Sequence, residues 1–129
     1  MNEFIRRAKD ASRLPATIVS RVIGFMESPE YGNLRQYELD IPGVVCGAFA
    51  QYVCRLFLEQ REIGDPRLRS ALNVLEELSA SSDPEAVELV VTEVLENLDL
   101  NCAQMVALKS VVGQRTMELI DKWMLPKKC

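Results

Sequence analysis

The chain has 129 residues, of which 48% are hydrophobic and 26% charged, a composition typical of a folded globular protein and not of a disordered one. This length suits a single domain over residues 1–129 with a sizeable core. The sequence contains no histidine, which excludes the usual general base, the histidine-activated nucleophiles and most zinc sites. We therefore expect no enzymatic activity, no cofactor and no metal.

Charge is segregated along the chain, although the net charge is only −4. From Ser70 to Leu108 there are eight acids and no lysine or arginine, so this segment carries −8. The remainder, with 15 bases and 11 acids (19 minus 8), carries +4. Phosphate contacts need clustered bases, so we expect no nucleic-acid partner for the acidic segment. Charge segregation of this kind instead indicates association with a protein partner.

No segment looks like a membrane anchor or a leader. The longest apolar run, residues 41–50, is shorter than the roughly 20 residues of a membrane-spanning helix. The N-terminus lacks an apolar core of signal-peptide length, so we expect a cytoplasmic protein with no membrane partner. Cys46, Cys54 and Cys102 lie among apolar residues, and we expect them to be reduced and buried. Cys129 is expected to be an inert thiol in an exposed tail.

Hydrophobic periodicity predicts an all-α fold, a compact bundle of about six helices. Residues 2–28 are predicted to form either one helix that is broken at Pro15 or two helices that are joined there. A turn-rich connection follows to Ile41. The next helix, Pro42 to Arg61, should be the most buried, because polar residues form only a narrow line along it.

A short internal repetition follows. Asp65–Pro66 begins a helix that reaches about Ser79, and an Asp-Pro start recurs at Asp83–Pro84. The helix endings also match, as VLEEL at 74–78 and VLENL at 94–98. Short helices joined by tight turns predict helical hairpins stacked in a HEAT-like manner.

Two further helices are predicted toward the end of the chain. The first covers Cys102 to Val112 and is capped by Asn101, and Gly113 breaks or bends the chain before the second. The second covers Gln114 to Met124, where Pro126 follows as a stop. Its predicted buried residues are Met117, Leu119, Ile120 and Trp123.

Residues 83–99, DPEAVELVVTEVLENLD, combine a core helix with the most one-signed surface in the sequence. Asp83 can cap the helix, Pro84 fits its first position, and Glu85 meets the positive end of the helix dipole. At about 100° per residue, an apolar stripe forms, flanked by Val90 and Leu95. The stripe consists of Val87, Val91, Val94 and Leu98.

Polar residues occupy another face of this helix, and Leu89 lies among their carboxylates. An apolar residue ringed by polar groups is typical of a binding hot spot, although Leu89 can equally pack beneath a neighbouring helix. The acids can also serve only to keep a small protein soluble. We name the candidate partner-binding set the acidic face: Glu85, Glu88, Leu89, Thr92, Glu93, Glu96 and Asp99.

Three short motifs between residues 40 and 124 carry a resemblance to a known family. They are LEEL at 75–78, DPEAV at 83–87 leading to VLENL at 94–98, and VGQRT at 112–116. They resemble a family of small all-helical bacterial proteins encoded beside polymorphic toxins, usually regarded as immunity proteins. That family commonly has an aromatic residue where Val94 stands and a proline where Gln114 stands, so the sequence departs at two structural positions.

The resemblance implies a protein that binds and blocks a cognate toxin, often a nuclease, inside the producing cell. Nuclease active sites are basic because they hold phosphate, so carboxylates on a rigid helix can occupy the same electrostatic field. The competing interpretation is a helical-repeat adaptor with no toxin partner.

Overall fold

A computed structural model of the protein describes residues 11–59 and 64–129. Every regular element in these two ranges is helical, which confirms the all-α prediction. Residues 2–10 of the first predicted helix and residues 60 and 61 of the predicted Pro42–Arg61 helix lie outside the described ranges.

The helices differ in length from one turn to five. In chain order they are α1 (Leu14–Arg21), α2 (Pro29–Gly32), α3 (Pro42–Glu59), α4 (Pro66–Ser79), α5 (Pro84–Leu89), α6 (Cys102–Lys109), α7 (Gln114–Leu119) and α8 (Leu125–Lys128). A 3-10 turn, Gln36–Glu38, lies between α2 and α3. Helix α5 continues through a π-helical turn, Val90–Val94, and a 3-10 turn, Leu95–Asn97. Helix α7 continues through a second π-helical turn, Ile120–Met124, into α8.

Helix α3 lies at the centre of the core and packs against α1, α2, α4 and α5. It has more buried residues than any other described helix, as the apolar pattern predicts. They are Val45, Cys46, Ala48, Phe49, Ala50, Tyr52, Val53, Cys54 and Leu56. Within the described ranges, no helix is both long enough and apolar enough to cross a membrane.

The first helix ends earlier than predicted, at Arg21 and not near residue 28. Gly24 has a φ of +80°, a left-handed conformation that favours glycine and turns the chain away from the helix. The turn buries Phe25 against the ring of Tyr52, with the ring centroids 5.5 Å apart. The Tyr52 hydroxyl donates a hydrogen bond to the Ile23 carbonyl oxygen at 2.6 Å, which fixes this turn on α3.

The predicted burial of the last helix is only partly correct. Ile120 is fully buried and Met117 and Leu119 are half-buried, but Trp123 is 44% exposed and Met124 takes its place in the core. A π-helical turn has more residues per turn than an α-helix, so it rotates the following residues away from the expected register. The helix also passes Pro126, which occupies the first turn of α8, where a missing N–H is tolerated.

Helix α4 contacts α1, α3, α5 and α7, and so joins distant parts of the chain. In a solenoid, each repeat contacts only its neighbours. The structure therefore does not confirm the predicted HEAT-like stacking of hairpins.

The cysteines divide into two pairs. Cys46 and Cys54 are free and buried, as predicted. Burial, with a smaller effect of the Glu93 charge, raises the pKa of Cys46 to about 12, so this thiol stays protonated. The prediction for Cys102 and Cys129 was wrong, because they form a disulfide with their Cα atoms 5.2 Å apart. Helix α8 packs against α6 and so brings the two residues together, a contact that local apolar neighbours do not reveal.

Candidate protein-binding groove

Asp83 fixes the start of α5 at one end of the acidic face. Its Oδ1 accepts a hydrogen bond from the Glu85 amide at 3.0 Å, the cap that the sequence predicts. Its Oδ2 accepts one from the amide of Ala11 at 2.9 Å, and the side chain is only 3% exposed. Asp83 therefore holds the segment that begins at Ala11 against the first turn of α5.

The π-helical turn changes which residues of this helix are buried. Val87 and Val91, expected in the core stripe, are only half-buried. The π-helical turn starts at Val90, so a single projection of 3.6 residues per turn does not fit the helix both before and after this turn. A stripe drawn through Val94 and Leu98 therefore misplaces Val87, which precedes the turn. The buried set is Ala86, Val90, Val94, Leu95 and Leu98.

A groove of about 550 Å³ lies between the α5 helix and the start of α3. Cavities of this size are typical of small binding sites. Five residues of the acidic face line it, and its other wall comes from two separate segments. The lining residues are Glu85, Glu88, Leu89, Thr92 and Glu93, together with Ala11, Ser12, Pro42 and Gly43.

The groove carries negative charge that no other described side chain neutralises. Glu85 and Glu88 are exposed and Glu93 is half-buried, and none of the three forms an ion pair with another described residue. Glu93 lies over the first turn of α3, where a Cβ atom on Gly43 would be 3.6 Å from the Glu93 Cδ atom. That turn has no acid of its own, so the Glu93 carboxylate meets the positive end of the α3 dipole.

Leu89 packs in the way that one of its two predicted roles requires, and its role as a binding hot spot stays a prediction. It is half-buried and packs against the hydrophobic core, and it also lines the groove. Thr92 also lines the groove, and its hydroxyl donates a hydrogen bond to the Glu88 carbonyl oxygen at 2.9 Å. The groove therefore presents an apolar side chain and three carboxylates, all carried by one helical segment.

Glu96 and Asp99, the other two residues of the acidic face, lie outside the groove. The Glu96 carboxylate is paired with the ammonium group of Lys127, on α8. Asp99 is exposed beyond the end of the helix, and its carbonyl oxygen accepts a weak hydrogen bond from the Cys54 thiol at 3.8 Å. The Lys127 pairing has no sequence signal, because the base comes from an element 31 residues away.

Among the described residues, four of the eight acids between Ser70 and Leu108 have structural partners. Glu77 pairs with Arg21, Glu96 pairs with Lys127, Asp83 caps α5, and Glu76 accepts hydrogen bonds from the start of α7. Glu85, Glu88, Glu93 and Asp99 make up the other half, and three of these four line the groove. Across the described ranges, no three acidic or cysteine side chains are grouped so as to hold a metal ion.

Two motifs of the family resemblance meet in the structure. Glu76, within LEEL, accepts hydrogen bonds from the Arg115 and Thr116 amides, within VGQRT, at 3.0 and 2.9 Å. These residues therefore have a shared packing role. No family model, curated protein or solved structure matches the chain.

Proposed function

We propose that the protein is an immunity-type binding protein that neutralises a basic cognate toxin domain, with the groove as its contact surface. The observation that carries the proposal is the set of three carboxylates, Glu85, Glu88 and Glu93, that lie around the half-buried Leu89 and have no ion-pair partner among the described residues. Glu77 and Glu96 of the same segment form ion pairs with Arg21 and Lys127, so three of the four acids without a partner among the described residues lie in the groove.

The groove suits a lysine or arginine side chain from a basic partner. Such a side chain places its aliphatic stem on apolar surface and its charged head beside carboxylates. Leu89 would receive the stem, and Glu85 and Glu88 the head. Toxins that cleave nucleic acids need basic active sites, so carboxylates at the same position would exclude the substrate and speed association.

Cytoplasmic location belongs to the same proposal. A toxin that attacks nucleic acid must be blocked where that nucleic acid is, inside the producing cell. Binding, and not catalysis, is the proposed activity.

The test is growth rescue by co-expression. The gene next to this one would be expressed alone and together with the wild-type protein, and growth would be recorded. The variant Glu85→Lys with Glu88→Lys reverses two groove charges, whereas Glu27→Lys reverses an exposed acid that has no ion pair among the described residues. Wild type and Glu27→Lys should restore growth, and the groove variant should not.

Two results would contradict the proposal. The first is a neighbouring gene product that is harmless when expressed alone. The second is rescue by a folded groove variant as complete as that by wild type. A partner that binds through the groove but has no toxicity would favour the adaptor interpretation instead.

A further inference from the structure

The Cys102–Cys129 disulfide connects the start of α6 to the end of α8, two elements that also pack against each other. Cys102 is the first residue of α6, which Asn101 and Gln104 cap reciprocally at 2.9 Å. Cys129 directly follows α8, a single turn. The disulfide therefore joins a well-capped helix start to a short turn across 27 residues.

Helix α8 is the last turn of the helix that begins with α7, and few of its own side chains are buried. Pro126, Lys127 and Cys129 are exposed, and Leu125 is only half-buried. The ion pair between Lys127 and Glu96 links the turn to the acidic helix. Exposed ion pairs of this kind contribute little to stability, so they hold a single helical turn weakly.

We propose that this disulfide is a redox-responsive clamp that sets the charge of the acidic helix. While the disulfide is intact, α8 stays in place and Lys127 neutralises Glu96. When the disulfide is reduced, α8 detaches, and Lys127 and Lys128 move away from the acidic helix. Glu96, three residues after Glu93, then loses its ion pair with Lys127. The inference does not depend on the identity of any partner.

The reaction that opens the clamp requires a dithiol reductant. A thiolate of the reductant attacks one sulfur atom of the disulfide and forms a mixed disulfide, and the other cysteine leaves as a thiolate that takes up a proton. The second thiol of the reductant then displaces the remaining cysteine. The reductant ends as a disulfide, and Cys102 and Cys129 end as thiols. The exposed Cys129 makes this attack sterically accessible.

The first test counts thiols in the purified full chain, unfolded in denaturant without reductant. Alkylation and mass spectrometry should label Cys46 and Cys54 only, and all four cysteines after treatment with dithiothreitol. Labelling of all four without reductant would overturn the proposal.

The second test compares the oxidised and reduced folded protein. On reduction, the amides of Lys127, Lys128 and Cys129 should exchange at least roughly tenfold faster, as expected for local opening, while the Val45 amide stays unchanged. Carbodiimide labelling of Glu96 should rise severalfold, and labelling of Glu118, paired with Arg115 elsewhere on the surface, should not. Equal exchange and equal Glu96 labelling in the two states would overturn the proposal.

Two variants separate the disulfide from the ion pair. Cys129→Ser should behave without reductant as the reduced wild type does. Lys127→Met removes the ion pair and keeps the disulfide, so Glu96 labelling should rise while the Lys128 and Cys129 amides stay protected. If those amides lose protection in Lys127→Met, the ion pair and not the disulfide holds the turn, and the clamp is refuted.

Discussion

Glu76 joins two helices whose residues are about 40 positions apart in the sequence. Its carboxylate accepts hydrogen bonds from the Arg115 amide at 3.0 Å and from the Thr116 amide and hydroxyl, each at 2.9 Å. The Thr116 hydroxyl also lies 3.0 Å from the Ser79 hydroxyl, in a buried position. A carboxylate that receives the free amides of a helix start acts as its cap. Here the cap of α7 is supplied by α4.

Replacing this cap should destabilise the fold more than replacing its neighbour. We expect Glu76→Ala to lower the free energy of unfolding by about 1–2 kcal/mol, because amides of α7 lose their acceptor. Glu77→Ala removes only the ion pair with Arg21, in which both side chains are 50% exposed, and should cost under about 1 kcal/mol. Urea denaturation of the two variants measures the difference. Equal losses would show that Glu76 is not an effective cap.

The same carboxylate should give the stability a pH dependence. Burial raises the pKa of Glu76, and the hydrogen bonds from Thr116 and Arg115 lower it. The hydrogen bonds together outweigh burial, so the pKa lies below its ordinary value of 4.5. A group whose pKa is lower in the folded state stabilises the protein above its unfolded pKa and loses this effect as the pH falls through its folded pKa. The stability difference between wild type and Glu76→Ala should therefore shrink in acid. Urea titrations at about pH 6 and about pH 3 test this, and an unchanged difference would argue against it.

Gly113 should be energetically coupled to Glu76. A Cβ atom on Gly113 would lie 2.4 Å from the Glu76 Cδ atom, so Gly113→Ala must displace the capping carboxylate. We expect a loss of about 1–2 kcal/mol, and little further loss when Gly113→Ala is added to Glu76→Ala. Gly32→Ala is the matched control, since its Cβ atom meets nothing within 4 Å. A double-mutant cycle measures the coupling, and simple additivity would contradict it.

Leu89 should affect the lifetime of a complex and not its formation. Its half-buried side chain gives the groove an apolar contact surface that acts at short range, whereas the carboxylates act at long range. Leu89→Ala should therefore speed dissociation of the partner, while Glu85→Lys with Glu88→Lys slows association by roughly tenfold or more. Surface plasmon resonance at two salt concentrations distinguishes the two effects. If both variants change only the dissociation rate, electrostatic steering is absent.

At the scale of the element, the π-helical turn at Val90–Val94 decides which face of the acidic helix is buried. The start of the helix was predictable from local chemistry, because Asp83 and Pro84 are a cap and a first-turn residue. The later register was not, because periodicity assumes 3.6 residues per turn and packing against α3 favours a wider turn. The end of α1 did have a signal in Gly24, whose left-handed conformation stops the helix.

Two valines test this register. Val90 is completely buried, whereas Val87, which the α-helical projection places in the core, is half-buried. Val90→Ala should lower the free energy of unfolding by about 2 kcal/mol, and Val87→Ala by roughly half as much or less. Chemical denaturation of the two variants under identical conditions compares them. A larger loss for Val87→Ala would restore the uninterrupted α-helical register.

At the scale of the whole molecule, contacts between distant segments determine what the acidic segment presents to solvent. The segment contains no base, but Arg21 and Lys127 reach it from other parts of the chain. Sequence reasoning identified five groove residues, because one helix face carries them all. It missed Ala11, Ser12, Pro42 and Gly43, because only tertiary packing brings these residues to the groove.

The disulfide should also contribute to global stability. Its sequence separation of 27 corresponds to a chain-entropy contribution of about 3–4 kcal/mol. Reduced wild type and Cys129→Ser should both unfold at a lower temperature than oxidised wild type, and at nearly the same temperature as each other. Calorimetry measures the three unfolding temperatures. If reduction leaves the unfolding temperature of the wild type unchanged, the disulfide does not constrain the unfolded chain.

The groove and the disulfide differ in when they can form during synthesis. The nine described residues that line the groove all lie at or before Glu93, 36 positions before Cys129 (129 minus 93). A ribosome therefore completes the groove-lining chain before it adds the second cysteine. Helix α7, whose cap is already present on α4, is also made in this interval. Glu96 is thus synthesised 31 residues before Lys127, so the ion pair between them is one of the last contacts of the acidic helix that can form.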